Sequence, residues 1–161
     1  MKSLLTRSPI GLFLLLICFQ VMLAAAETVQ INDANLRRQL ELALNKEAGQ
    51  PISAEELATL TELSALYTEI TDLTGLEHCL SLTTLKLSYN AITDLAPLSG
   101  LTKIDTLYLN DNQVVDLAPV VKLVNLKTVG LNNNQVQEIS TLSELNQPLL
   151  VDRDRSADIP S

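Results

Sequence analysis

Tryptophan is absent from the 161 residues, aromatic side chains make up only 3%, and there is a single histidine, His78. A chain that is nonetheless 47% hydrophobic must fill its interior with Leu, Ile, Val and Ala. That composition suits thin stacked layers better than one rounded core. Basic residues are also scarce, with 11 Lys and Arg against 19 Asp and Glu for a net charge of −8. The shortage argues against duplex nucleic acid, where cations must displace counterions from phosphate, and against an anionic membrane surface. No glycine-rich phosphate loop, G-x-S-x-G element or zinc-ligand spacing occurs. With one histidine and no polar constellation, catalysis is not expected, and neither is a cofactor or a resident metal.

The first residues carry a targeting pattern. Lys2 and Arg7 precede an apolar run of 17 residues from Ile10 to Ala26, which ends in Ala24-Ala25-Ala26 before Glu27. A basic start, an apolar stretch and a small-residue site together describe a secretory signal peptide. The run lies at the lower limit for spanning a bilayer, so cleavage near Ala26 is expected rather than a retained anchor. Cys18 follows the bulky Ile17, which disfavours lipid attachment. Its removal with the leader leaves Cys79 alone, so no internal disulfide can form. It also leaves 9 basic residues against 19 acidic ones, a charge of −10. A periplasmic or secreted location follows, with no stable membrane insertion after cleavage.

Beyond the leader, the pattern is a strict 22-residue step. Leu82 lands on Ile104 and Leu126, Leu85 on Leu107 and Val129, Leu87 on Leu109 and Leu131. Asn90 lands on Asn112 and Asn134, and Ile92 on Val114 and Val136. Leu95, Leu98 and Leu101 give Leu117, Val120 and Leu123, then Ile139, Leu142 and Leu145. One step back finds Leu60, Leu63, Ala65, Thr68, Ile70, Leu73, Leu76 and Cys79. Each L-x-L pair alternates with polar neighbours, which predicts a short half-buried strand. The Asn that follows it can donate to one turn and accept from the next, satisfying backbone groups that the bend would bury. Pro97 and Pro119 are expected to keep the return segments out of regular helix.

These motifs, L-x-x-L-x-L-x-x-N-x-I at a 22-residue period, resemble the leucine-rich-repeat family and its bacterial internalin-like branch. The resemblance covers residues 57–145 as four repeats. It implies an α/β solenoid: a short right-handed horseshoe with a parallel concave sheet, turns or 3₁₀ segments on the convex side, and a helical N-terminal cap. The first repeat departs from the pattern at Ala65 and Thr68 and is expected to be the least well packed.

Residues 27–56 are read as the cap. Asp33 is a suitable N-cap for a helix over 33–49, with Leu36, Leu40, Ala43 and Leu44 on one face and Gly49 as the residue that ends it. Ser53 and Glu56 form a capping box ahead of Leu57. Residues 146–161 are expected to form a tail or partial cap. The edge near Leu126–Leu131 needs cover, either from residues 146–151 or from self-association.

Three groups of side chains bear on function. His78 occupies a turn position and Cys79 a core position, so the two are expected to point apart, the thiol buried as a small hydrophobe. Asp72, Asp94, Asp116 and Glu138 form a column suited to calcium or, the favoured reading, to capping the turns that follow. The residues flanking each L-x-L pair should face the concave side, giving Lys86, Ser88, Tyr89, Thr106, Tyr108, Asn110, Thr128 and Asn132 as candidate partner contacts. The structural ladder is Asn90, Asn112 and Asn134. All three tyrosines fall on or beside this face, where Tyr combines contact area with a polar tip. Four strands offer only about 19 by 13 Å, below the roughly 800 Å² per partner of a standard interface. A protein loop or peptide is therefore the expected partner, on a host or envelope surface. A carbohydrate ligand and self-assembly are the alternatives.

Overall fold

A computed structural model describes residues 28–136, 140–144 and 150–152. Residues 1–26, the segment expected to be a leader, and Glu138, Ile139 and Leu145 of the last repeat lie outside the described residues. Five parallel strands follow the chain in order: β1 (Glu62–Ser64), β2 (Thr84–Lys86), β3 (Thr106–Tyr108), β4 (Thr128–Gly130) and β5 (Leu150–Asp152). Leu63 pairs with Leu85, Leu85 with Leu107, Leu107 with Val129 and Val129 with Val151. Every pairing is one 22-residue step, so the register comes directly from the repeat. Strand β5 pairs along β4, so residues 150–152 lie on that edge, while 146–149 are outside the described residues.

One layer shows how the core is built. Leu82, Leu85, Leu87, Ile92, Leu95, Leu98 and Leu101 are all buried, and their counterparts one step on continue the same cluster. Ladder asparagines hold adjacent layers together. Asn112 Nδ2 donates to the carbonyls of Leu87 at 2.9 Å and Leu109 at 3.1 Å, while its Oδ1 accepts from Ile92 N–H at 3.0 Å. Asn90 and Asn134 bond in the same way to Ala65 and Leu87, and to Leu109 and Leu131. In the first repeat Thr68 takes over part of this role, its hydroxyl donating to Ala65 O and lying against Asn90 Oδ1. That layer is the looser one: Leu60 and Leu63 are 9% and 4% exposed, whereas Leu82 and Leu85 are fully buried.

The return segments differ from expectation at one proline. Ala96–Leu98 is a 3₁₀ turn, but Ala118–Val121 makes one turn of α-helix despite Pro119. Proline is tolerated there because the first-turn N–H needs no partner.

The cap helix α1 covers Ala34–Ala43, shorter than the expected 33–49. Asn45, not Gly49, ends it, with φ +53. Lys46 N–H bonds to Glu41 O and Asn45 N–H to Leu42 O, the paired closure of a Schellman motif. Gly49 lies further along the loop, where its N–H donates to the buried Glu41 carboxylate at 2.9 Å. A second helix, α2 (Ala54–Leu57), starts from Ser53 with both bonds of the capping box present.

Asp33 fastens the cap to the first repeat. Oδ1 accepts from the Asn35 and Leu36 amides, and Oδ2 from the Thr71 amide at 2.8 Å, the Thr71 hydroxyl and the Asp72 amide. Desolvation would raise this carboxyl, but the hydrogen bonds from Thr71, Leu36 and Asp72 outweigh it and hold Asp33 below its ordinary 3.8. A depressed native pKa means that the unfolded chain takes up the proton first. The contribution is complete above the unfolded value and is lost as pH falls through the native one. Stability in urea should therefore drop between about pH 5 and about pH 3, and Asp33→Ala should flatten that drop. An unchanged acid profile in the variant would assign the loss to other carboxylates.

Candidate functional site

Strand pairing fixes three columns on the concave side. Glu62, Thr84, Thr106 and Thr128 form the first, and Ser64, Lys86, Tyr108 and Gly130 the second. Glu62 and Ser64 are exposed, while Thr84, Lys86, Thr106, Tyr108 and Thr128 are half-buried. A shallow depression lies over β1 and β2, lined by Glu62, Leu63, Ser64, Thr84 and Lys86.

The third column corrects the sequence reading. Ser88 and Asn110 are fully buried and cannot meet a partner. Ser88 Oγ accepts from Asn110 N–H at 3.1 Å, and Asn110 Oδ1 accepts from Asn132 N–H at 2.8 Å. The cause is competition for carbonyls. Leu87 O already takes the amides of both Asn90 and Asn112. Leu109 O likewise takes those of Asn112 and Asn134. The next strand's N–H groups need other acceptors, and short polar side chains supply them, forming a second ladder beside the first. Asn132 is the last member of this ladder among the described residues and is half-buried.

The concave surface is also partly filled. A Cβ on Gly130 would lie 2.7 Å from Asn110 Nδ2 and 2.9 Å from Tyr108 Cδ1. The Tyr108 ring and the Asn110 amide thus lie against the bare backbone of Gly130 and fill that part of the face.

Past the strand ends, Tyr67, Tyr89, Asp111 and Asn133 share a left-handed backbone, with φ of 55°, 61°, 55° and 53°. An ordinary L residue there costs roughly 1–2 kcal/mol, and Asn and Asp bear it best. Asn133 Nδ2 bonds to Asp111 Oδ1 at 2.6 Å. The tyrosines stack instead, with ring centroids 4.1 Å apart and planes 11° from parallel. Tyr67 remains 61% exposed.

The other candidate groups make local contacts. Asp72, Asp94 and Asp116 each accept the amide two residues on, from Thr74, Ala96 and Ala118, all at 2.8 Å. The Thr74 hydroxyl and amide also hold Asp72 below the usual carboxylate range. Glu138 lies outside the described residues, among which no group of three His, Cys, Asp or Glu is placed to hold a metal. Cys79 is buried, and desolvation, helped by the Glu77 charge, pushes its thiol up to about 12. His78 is partly exposed, 3.9 Å from Glu77. No described helix is long and apolar enough to cross a membrane.

Comparison with known proteins agrees with this architecture. Residues 102–144 match the family model for leucine-rich repeats in two copies. The crystal structure of an internalin from Listeria monocytogenes is 31% identical, with a TM-score of 0.72 over 77% of this chain. The chain spans only 38% of that internalin. A structure containing the INT domains of Clostridium perfringens ZmpB is 34% identical with a TM-score of 0.50, covering 55% of this chain and 18% of the other. No curated protein sequence matches significantly. Its 22-residue register, asparagine ladder and parallel sheet, together with these matches, place the chain in the leucine-rich-repeat proteins, within their bacterial internalin-like branch.

Proposed function

We propose that the chain is an exported, non-catalytic recognition module that binds a protein loop or peptide through the open end of its concave face. The observation that carries this reading is the surface over β1 and β2. Glu62 and Ser64 are exposed there, Thr84 and Lys86 are half-accessible, and the tyrosine stack stands at the strand ends. Recognition surfaces combine such polar groups with rigid aromatic area. Export is supported by the leader pattern at residues 1–26. A buried thiol held near 12 beside a turn-borne histidine supports a non-catalytic role. The partner would sit on a host or envelope surface.

The test is affinity capture with the exported chain, run beside a Ser64→Arg, Lys86→Glu, Tyr108→Ala variant of unchanged melting temperature. A partner retained by the native chain and lost by the variant is expected. Equal capture by both would remove the concave face from consideration. Self-association has one observation in its favour, Leu150 at 66% exposure on the last described strand. Capture of the chain's own copies alone would favour it.

A further inference from the structure

The Tyr67–Tyr89 pair is placed where tyrosine is a poor choice. The same left-handed position is filled in later repeats by Asp111 and Asn133, residue types that tolerate it. Neither ring belongs to the buried core, and Tyr67 is among the most exposed large side chains described. Stacking on Tyr89 covers one face of the Tyr67 ring; the other is accessible to solvent. A flat aromatic face, pre-set in a stack, attracts a cation through its ring quadrupole.

The surroundings carry matching charge. Glu69 follows Tyr67 by two residues and is exposed. Asp33 and Asp72 meet in the same turn, where Asp33 accepts from the Thr71 and Asp72 amides, and both carboxyls are held below their ordinary range. Glu62 is exposed at the start of the adjoining strand. Against these four carboxylates stand two nearby cations. Lys86 is on β2, and Arg38 lies one turn along α1 from Asn35, whose amide bonds to Glu69 O at 3.4 Å. Summed over these segments the balance is negative, with Glu69 the carboxylate nearest the ring in sequence.

We propose that the stacked Tyr67–Tyr89 pair anchors an arginine side chain of a basic peptide segment, the guanidinium lying on the outer face of Tyr67 at this acidic end of the sheet. Arginine suits this better than lysine because its plane can stack while its edge donates to carboxylates. The proposal rests on the peptide-binding reading of the concave face and specifies what the peptide brings to its lip.

The probe is hexa-arginine amide, titrated into the exported chain at low salt, with hexalysine and hexacitrulline amides beside it. Hexa-arginine should bind most tightly and hexacitrulline not at all. Tyr67→Leu should weaken hexa-arginine about 2–5-fold, the size of one exposed cation–π pair. Tyr67→Phe, which keeps the ring, should restore most of the binding, and a Glu55→Gln change on α2 should leave it unaltered. Equal binding by Tyr67→Leu and the native chain would overturn the proposal, leaving charge attraction alone. So would equal binding of arginine and citrulline peptides. Either result leaves the concave-face reading standing, because the capture experiment uses Ser64, Lys86 and Tyr108 and neither of the stacked tyrosines.

Discussion

Asn112→Ala should lower stability by about 3 kcal/mol, because one buried amide is orphaned at about 1–3 kcal/mol and two hydrogen bonds to buried carbonyls are lost at about 0.5–1.5 kcal/mol each. The Ile92 amide loses its acceptor, and the carbonyls of Leu87 and Leu109 each lose one of two side-chain donors, keeping Asn90 and Asn134 respectively. Asn112 is only 6% exposed, so water cannot readily replace it. At about 2–4 °C per kcal/mol for a chain of this size, the thermal midpoint should fall by roughly 10 °C. Asn125→Ala is the control. Its amide also bonds a carbonyl, Thr102 O at 2.7 Å, but on an exposed surface, where the change should stay within about 0.5 kcal/mol. Equal effects at the two positions would show that the ladder is not what joins the layers.

The contrast between these asparagines marks what was legible in the sequence. The 22-residue step identifies Asn112 as structural because it recurs with Asn90 and Asn134, and it carries the register of β1 to β4. Burial of the Leu columns followed from the same periodicity. Burial of Ser88 and Asn110 did not, since alternation along a strand places both outward. Their fate depends on which donor reaches Leu87 O and Leu109 O first, a competition between three repeats at once. A small polar column at 88, 110 and 132 was the signal available, read as recognition when it serves the backbone. Gly130 was also readable only afterwards, because a missing side chain gains meaning from the Tyr108 ring beside it. The α1 terminus was misplaced because Asn45 and Gly49 both suit a left-handed end. The Lys46 to Glu41 bond decides between them. Strand β5 was hidden by Pro148, which stands where the step from Leu126 calls for an aliphatic residue. The stacking of Tyr67 on Tyr89 lay one step away in the sequence, but only the shared left-handed backbone brings the rings face to face.

Gly75→Ala should have the second large effect, and it tests how the cap is seated. Gly75 has φ +105, which an L residue adopts only under strain, at about 1–3 kcal/mol. A Cβ there would lie 2.7 Å from Ile31 Cγ1 and 3.3 Å from Gln30 O. Ile31 is nearly buried in the same core cluster as Leu36 and Leu76, so the new methyl would push the cap's first segment off the first repeat. A total loss of about 3 kcal/mol is expected, the backbone strain plus overpacking of about 1–3 kcal/mol. The two contributions separate in a double-mutant cycle. Ile31→Ala removes Cγ1, so in that background Gly75→Ala should keep only its backbone cost. Hydrogen exchange supplies the location: amides of α1 should lose protection before those of β2 and β3, because the undocked unit is the cap. If the cycle shows no coupling and all strands lose protection together, Gly75 matters for the turn into Leu76 alone, and the cap is held chiefly by Asp33 and its bonds to Thr71 and Asp72.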